Sequence, residues 1–118
     1  GGLADIEFLV QVLQLKDDSR GIGLSTFSSL GRLAEKKILT RSDARKLLSN
    51  YGFLRTMELL VRLNSQSGGA EYPGDKKNRK LLASGLGEKS EKTLLARMKS
   101  VLLENRRMFL KALSLAAT

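Results

Sequence analysis

Residues that could carry catalysis are scarce in this 118-residue sequence, which has no histidine and no cysteine. Their absence excludes imidazole and thiolate metal ligands, Ser-His and Cys-His nucleophilic pairs, and the usual general base at neutral pH. Asp17 and Asp18 are adjacent, so their carboxylates point apart, whereas two-metal phosphoryl transfer needs carboxylates that converge, typically from a D-x-D on a strand. The sequence contains no D-x-D. We therefore predict no catalytic residue and no metal site in this chain.

Two glycine pairs, GIG at 21–23 and GLG at 85–87, could be mistaken for phosphate-binding loops. Both are too short to cradle a phosphate, and no predicted strand leads into either of them. We interpret these glycines as parts of turns.

Positive charge is the strongest chemical signal, because the chain carries a net charge of +9 and residues 76–118 hold most of it. Such an asymmetry indicates an anionic partner, which could be nucleic acid, the phosphates of a nucleotide or an acidic protein surface. A solvated face that keeps the domain soluble explains the same pattern, and both explanations stay open. The candidate residues for binding an anion or a partner are Lys76, Lys77, Arg79, Lys80, Lys92, Lys99 and Arg106.

The basic cluster KKNRK at 76–80 raises the question of nucleic-acid binding. No aromatic residue interrupts it, so stacking on single-stranded bases is disfavoured. The sequence also lacks a recognisable glycine-containing turn of a helix-turn-helix motif, which would support binding in the major groove of DNA. We keep an independent basic helical module that binds nucleic acid as the alternative function.

Apolar periodicity near 3.6 residues predicts an all-α bundle of about five helices. The predicted helices cover about 4–15, 25–37, 40–64, 76–84 and 90–115. No apolar run approaches the ~20 residues that a bilayer span needs, and no charged segment precedes the first helix as in a signal peptide. We expect one helical domain over residues 1–118, located in the cytoplasm and without membrane contact.

Local signals support three of these helices. Thr40 and Asp43 form a T-x-x-D pattern that is typical of a helix start, and Asp75 can cap the short helix behind it. Asn105 interrupts the apolar row of the last helix. We predict that it is a buried amide that sets the register of packing, rather than a ligand group.

The opening segment GGLADIEFLVQVLQL, residues 1–15, predicts a helix that is apolar nearly all round. Glu7, Gln11 and Gln14 form a narrow polar line on it. This line could be the solvent side of the helix. Alternatively, the helix lies between its own bundle and a neighbouring structure, because its apolar arc is wider than one-sided burial needs. The second hypothesis predicts exposed apolar surface along residues 6–15.

The opening residues GG-L-A-DIEF-L-V-Q resemble the GG-x-x-[DE]-IEF-x-x-Q segment of bacterial glutamine synthetase adenylyltransferase, also called the adenylyl-removing enzyme. A looser similarity covers LTRSDARKLLSNYGFLRTMELLVRL, the YPGD…LLASGLG segment and a closing helix with Arg106, Arg107 and Phe109. Related helical domains follow the nucleotidyltransferase domain in the uridylyltransferase that modifies the PII signalling protein. The resemblance covers essentially the whole chain and is most specific at its start.

The resemblance implies that the chain is the helical domain that follows a nucleotidyltransferase domain, as a fragment of a larger enzyme. That enzyme attaches AMP from ATP to a tyrosine of glutamine synthetase, and removes it by phosphorolysis, to regulate nitrogen assimilation. Its Mg²⁺ is held by carboxylates of the nucleotidyltransferase domain. We therefore expect this fragment to be inactive alone and to hold no cofactor. The implied partners are the preceding nucleotidyltransferase domain and glutamine synthetase, with PII as a further candidate.

The same resemblance assigns Gly1, Gly2, Asp5, Glu7 and Gln11 to the seam with the preceding domain. The two glycines would let the backbone enter a closely packed helix, and Gln11 would hydrogen-bond across the seam. The sequence leaves open whether the unit attaches or removes AMP. Because the chain stops soon after its last predicted helix, the expectation leans to the C-terminal, AMP-attaching unit.

Overall fold

The computed structural model describes residues 2–17, 25–64 and 72–116, all of which belong to helices or to the short segments beside them. Five α-helices follow one another in the chain, and the described residues contain no strand. The helices are α1 (Leu3–Asp17), α2 (Thr26–Glu35), α3 (Arg41–Asn64), α4 (Lys76–Gly85) and α5 (Glu91–Ala116). The all-α prediction is confirmed. The GIG glycines, Asp18 and the side chain of Asp17 lie outside the described residues.

The helices begin where the sequence predicts. The backbone N–H of Asp43 donates to Thr40 Oγ1 at 3.0 Å, which caps α3. Asp75 caps α4 in the same way, because its carboxylate accepts from the Asn78 N–H at 3.1 Å. Each cap satisfies a backbone donor of the first turn that has no partner inside the helix.

A reciprocal cap that the sequence analysis did not anticipate starts α5. The N–H of Thr93 donates to Ser90 Oγ, and the N–H of Ser90 donates to Thr93 Oγ1, both at 3.2 Å. This is the arrangement of a capping box, with threonine in place of the usual Glu or Gln at the third helical position.

Left-handed residues end two of the helices. Lys37 follows α2 with φ of 61°, and Gly87 follows α4 with φ of 75°. The reversal lets the N–H of Ile38 reach the Leu33 carbonyl at 3.0 Å, and the N–H of Glu88 reach the Ala83 carbonyl at 2.9 Å. These bonds satisfy carbonyls that a helix C-terminus otherwise leaves without a partner.

Two compact units divide the chain, and α3 and α5 each contribute residues to both. Unit 1 consists of Gly1–Tyr51 with Val101–Thr118, and unit 2 is Gly52–Ser100. The prediction of a single domain over residues 1–118 stays a prediction. Of the five helices, none is long and apolar enough over its described residues to cross a membrane.

The core of unit 1 is built from one face of each of its helices. Its largest fully buried side chains are Ile6, Leu9, Leu13, Leu30, Leu33, Leu47 and Asn105. Asn105 is 1% exposed and accepts a hydrogen bond at 2.9 Å from the Nδ2 of Asn50, itself 7% exposed. The predicted buried amide is therefore confirmed, and it pairs α5 with α3.

The core of unit 2 is smaller and combines the second half of α3 with α4 and the first half of α5. Its buried apolar residues are Phe53, Leu54, Val61, Leu82, Ala83 and Leu94. Gly85 permits a close approach of α4 to α3, because a Cβ there would lie 3.0 Å from Leu60 Cδ1. On the surface of α3, Glu58 forms ion pairs with Arg55 at 3.6 Å and with Arg62 at 3.4 Å.

Candidate functional site

Helix α1 is buried on one side and keeps an aromatic ring on the other. Ile6, Leu9 and Leu13 are each 1% exposed, whereas Phe8 is 57% exposed. The Phe8 ring meets the ring of Phe109 on α5 edge-on, with 6.1 Å between the ring centroids. The contact covers part of the ring and leaves the rest at the surface of unit 1.

Exposed leucines on α5 continue this surface. Four leucines in the part of α5 that belongs to unit 1, from Val101 onward, keep more than a third of their surface exposed: Leu102, Leu103, Leu110 and Leu113. At 100° per residue, Leu102 and Leu113 lie in line with Phe109, and Leu103 and Leu110 lie further round, opposite the buried row. We call Phe8 together with these four leucines the outer apolar face. The apolar periodicity of this helix predicts a wide stripe that includes Leu102 and packs against other helices. Instead, Leu102 is exposed.

The residues predicted at the seam are placed differently from one another. Gly1 lies outside the described residues. A Cβ on Gly2 would meet nothing within 4 Å, so packing within the described residues does not require glycine there. Glu7 and Gln11 are exposed beside Phe8. Asp5 instead forms an ion pair with Arg106 at 3.3 Å, which links α1 to α5 inside unit 1.

The seven cations predicted to bind an anion do not form one cluster. Arg106 belongs to unit 1 and is held by Asp5, whereas the other six belong to unit 2. Within unit 2, the Arg79 Nε lies 3.3 Å from Glu91 Oε1 on α5. Of these six cations, Arg79 is half-buried, and Lys76, Lys77, Lys80, Lys92 and Lys99 are exposed.

Glu91 is the centre of a small polar network in unit 2. Besides its ion pair with Arg79, it accepts a hydrogen bond from the Tyr72 hydroxyl at 3.3 Å. Burial raises the pKa of Tyr72, and the neighbouring Glu91 carboxylate raises it further. The hydroxyl donates to Glu91 and the Arg79 side chain pairs with the same carboxylate, which suits a structural role for Arg79 and Tyr72.

Metal ligands do not assemble among the described residues. No group of three or more acidic, histidine or cysteine side chains comes together there in a way that could hold an ion. Asp5 and Asp43 are committed to Arg106 and Lys111, at 3.3 and 3.5 Å. In the part of the chain that the structure describes, the donor set does not fit a Mg²⁺ site.

Unit 1 has a basic groove on α3 that was not predicted from the sequence. It has a volume of about 460 Å³ and is lined by Arg41, Ser42, Arg45, Lys46, Ser49, Asn50 and Glu104. The first 75 residues have a net charge close to zero, so the distribution of charge along the sequence does not indicate a basic groove there. The spacing of Arg41, Arg45 and Lys46 could have indicated it, because Arg41 and Arg45 lie one helical turn apart and Lys46 follows Arg45.

A smaller, mostly apolar pocket of about 90 Å³ also lies in unit 1. Leu9, Leu13 and Met108 line it, and the ion pair between Asp43 and Lys111 borders it. The space is about the size of one side chain, too small for a cofactor.

Comparison with known proteins agrees with the resemblance seen in the sequence. The family model of the GlnD PII-uridylyltransferase matches residues 1–113. A relative in Corynebacterium diphtheriae, a bifunctional glutamine synthetase adenylyltransferase/adenylyl-removing enzyme, is 36% identical over 97 residues. The alignment covers 78% of this chain and 9% of the relative, so the chain matches only a small part of that protein. The chain belongs to the GlnD PII-uridylyltransferase family.

Proposed function

We propose that the chain is a non-catalytic helical domain of a glutamine synthetase adenylyltransferase/adenylyl-removing enzyme, and that its outer apolar face docks the nucleotidyltransferase domain of the same enzyme. The exposure of this face carries the proposal. The 36% identity to an enzyme of that name supports it, as does the 9% share of that enzyme that the match covers. In this proposal the rest of the polypeptide carries the chemistry.

The charged side chains of the chain support a non-catalytic role. Transfer of AMP from ATP with Mg²⁺ needs carboxylates that converge on the ions. The donor set of the described residues does not fit such a site. The chain's own contribution would then be to position the domain that holds ATP and Mg²⁺, and to contribute surface toward glutamine synthetase. PII stays a further candidate partner, and the cytoplasm is the compartment in which we expect the enzyme.

The shape of the outer apolar face fits a protein neighbour better than solvent. Leu103 is 62% and Leu110 is 54% exposed, and they lie one heptad apart on the side of α5 opposite its buried row. Contiguous apolar side chains with polar neighbours are typical of interaction surfaces. Phe8 adds an aromatic ring to the face, and aromatic residues are enriched at the centres of interfaces.

The polar rim of the face is supplied by α1. Glu7 and Gln11 are exposed next to Phe8, one helical turn apart from each other. Side chains of this kind can hydrogen-bond across an interface without burying an unpaired charge at its centre. Asp5, in contrast, would act indirectly. Its ion pair with Arg106 holds α1 against α5 and so keeps Phe8 beside the leucines.

The experiment compares the same substitutions in the isolated chain and in the full-length enzyme. The variant Phe8→Ser with Leu110→Ser removes the two ends of the face. Because both side chains are more than half exposed, the free energy of unfolding of the isolated chain should fall by only about 1–2 kcal/mol, most of it from the edge-on contact between Phe8 and Phe109. In the full-length enzyme, the rate of AMP transfer from ATP to glutamine synthetase should fall at least tenfold, and limited proteolysis should release the domain more readily.

A matched control uses Leu81→Ser, which removes an equally exposed leucine (50%) from unit 2. We expect this variant to leave transfer and proteolysis of the full-length enzyme unchanged. The proposal is wrong if the double variant behaves like the control, or if the isolated chain itself transfers AMP.

A further inference from the structure

The basic groove on α3 has no part in the proposed docking of a neighbouring domain. Its wall consists almost entirely of polar and charged side chains, in contrast to the outer apolar face. The groove is widely open to solvent and has a volume of about 460 Å³. Most small-molecule sites are enclosed and apolar with a few polar groups, so an open groove with these side chains suits a small, strongly charged ligand.

The cations of the groove do not form ion pairs with carboxylates of the described residues. Among the described residues, no carboxylate lies within ion-pair distance of Arg41, Arg45 or Lys46. The Asp43 carboxylate, which shares the first turns of α3 with them, is committed to Lys111 at 3.5 Å. Three positive charges and one carboxylate, Glu104, therefore line the groove, which keeps an excess of positive charge.

The spacing of these cations suits a phosphate group. Arg41 and Arg45 lie one turn apart on the same face of α3, which places their Cβ atoms about 5–6 Å apart. A guanidinium presents a planar fork of N–H donors that binds two phosphate oxygens at once. The hydroxyls of Ser42 and Ser49 line the same groove and can donate to the remaining oxygens.

One end of the groove has the opposite character. Glu104 lies there, and its Oε1 accepts a hydrogen bond from Asn50 Nδ2 at 2.8 Å. The same Nδ2 donates to the buried Asn105, so this wall is fixed by the core of unit 1. A carboxylate in this position repels a second negative group but accepts hydrogen bonds from hydroxyls. A long polyanion such as nucleic acid is therefore disfavoured, and a compact ligand with one phosphate and several hydroxyls is favoured.

We infer that the α3 groove binds a small hydroxylated phosphate ester, with Arg41, Arg45 and Lys46 holding the phosphate and Glu104 accepting from a ligand hydroxyl. This site is independent of the proposed docking through the outer apolar face. Either proposal can therefore be wrong while the other is right.

The test titrates the 118-residue chain with ribose 5-phosphate and, separately, with inorganic phosphate at constant ionic strength, and follows backbone amide resonances. We expect the shifts to concentrate at residues 41–50 and at Glu104, with ribose 5-phosphate bound more tightly than inorganic phosphate. The variant Arg41→Gln with Arg45→Gln should weaken binding at least tenfold, because two charge-assisted contacts are lost.

The matched control removes the same charge from unit 2 through Lys76→Gln with Lys77→Gln, and it should change the affinity less than twofold. Glu104→Gln should bind inorganic phosphate at least as tightly as the original chain but lose most of the preference for ribose 5-phosphate. The inference is overturned if the control weakens binding as much as the arginine variant, if the shifts concentrate at residues 76–80, or if both ligands bind equally.

Discussion

The substitution Asn105→Leu probes the buried amide pair that joins α3 to α5 in unit 1. Leucine has the same branching at Cγ as asparagine but bulkier methyl groups, and it removes the acceptor for Asn50 Nδ2, which lies 2.9 Å away. Both residues are more than nine-tenths buried, so water does not replace the lost acceptor. Leaving a buried donor without one of its acceptors costs about 1–3 kcal/mol. Asn50 keeps its bond to Glu104 at 2.8 Å, which places the expected loss in the lower half of that range.

The double variant Asn50→Leu with Asn105→Leu separates hydrogen bonding from packing. When both residues become leucine, neither amide of the pair remains to lack its partner. The loss in free energy of unfolding should therefore be well below the sum of the losses in the two single variants. We expect a favourable coupling of about 1 kcal/mol or more in urea unfolding of the four proteins in the cycle.

A second cycle that combines Asn105→Leu with Ser49→Ala serves as the control, because Ser49 is exposed. These two changes should add within about 0.5 kcal/mol. If the Asn50 and Asn105 changes also add within that limit, the amide pair does not stabilise the fold in the way described.

Three further predictions concern two glycines and the cap of α4. A Cβ on Gly31, inside α2, would meet nothing within 4 Å, so Gly31→Ala should stabilise the chain by up to about 1 kcal/mol. Gly87→Ala should instead destabilise it by about 1–2 kcal/mol, because φ of 75° disfavours a Cβ; thermal unfolding of both variants checks the opposite signs. Hydrogen bonds from the Asn78 backbone and side chain lower the pKa of Asp75 below its ordinary 3.8, so the cap stabilises α4 above that pH and is lost as the pH falls through the lower value in the folded state. The Asn78 amide resonance should follow this titration, and a midpoint at or above 3.8 would contradict the assignment.

Most of the secondary structure could be predicted from the sequence because its signals are local. The caps at Thr40 and Asp75 depend on residues three positions apart, and the periodicity of the helices depends on neighbours within a few turns. Asn105 was also predictable, since one polar residue in a buried row has few roles other than pairing.

The pairing of charges and the exposure of leucines could not be predicted, because both depend on contacts between residues far apart in the chain. The sequence predicts Arg106 to be one of several anion-binding cations. Its ion pair with Asp5 forms only when α5 packs on α1. Leu102 is one of several leucines spread widely around α5, and only the packing decides which side is covered. The acidic end of the α3 groove could not be predicted for the same reason, since Glu104 joins Arg41 and Arg45 only in the folded unit.

The division of the chain has a consequence for the order of folding. Helices α1 and α2 and the first half of α3 are contiguous in sequence and can collapse onto one another early. The stretch from Val101 onward completes the core of unit 1, yet all of unit 2 lies between it and the rest of that core. Its docking must close a long loop, which carries an entropic cost that local contacts avoid. We therefore expect the amide pair of Asn50 and Asn105 to form late in folding. A break in the chain inside unit 2 would divide unit 1 into two pieces, and the two pieces could reassemble only by bimolecular association.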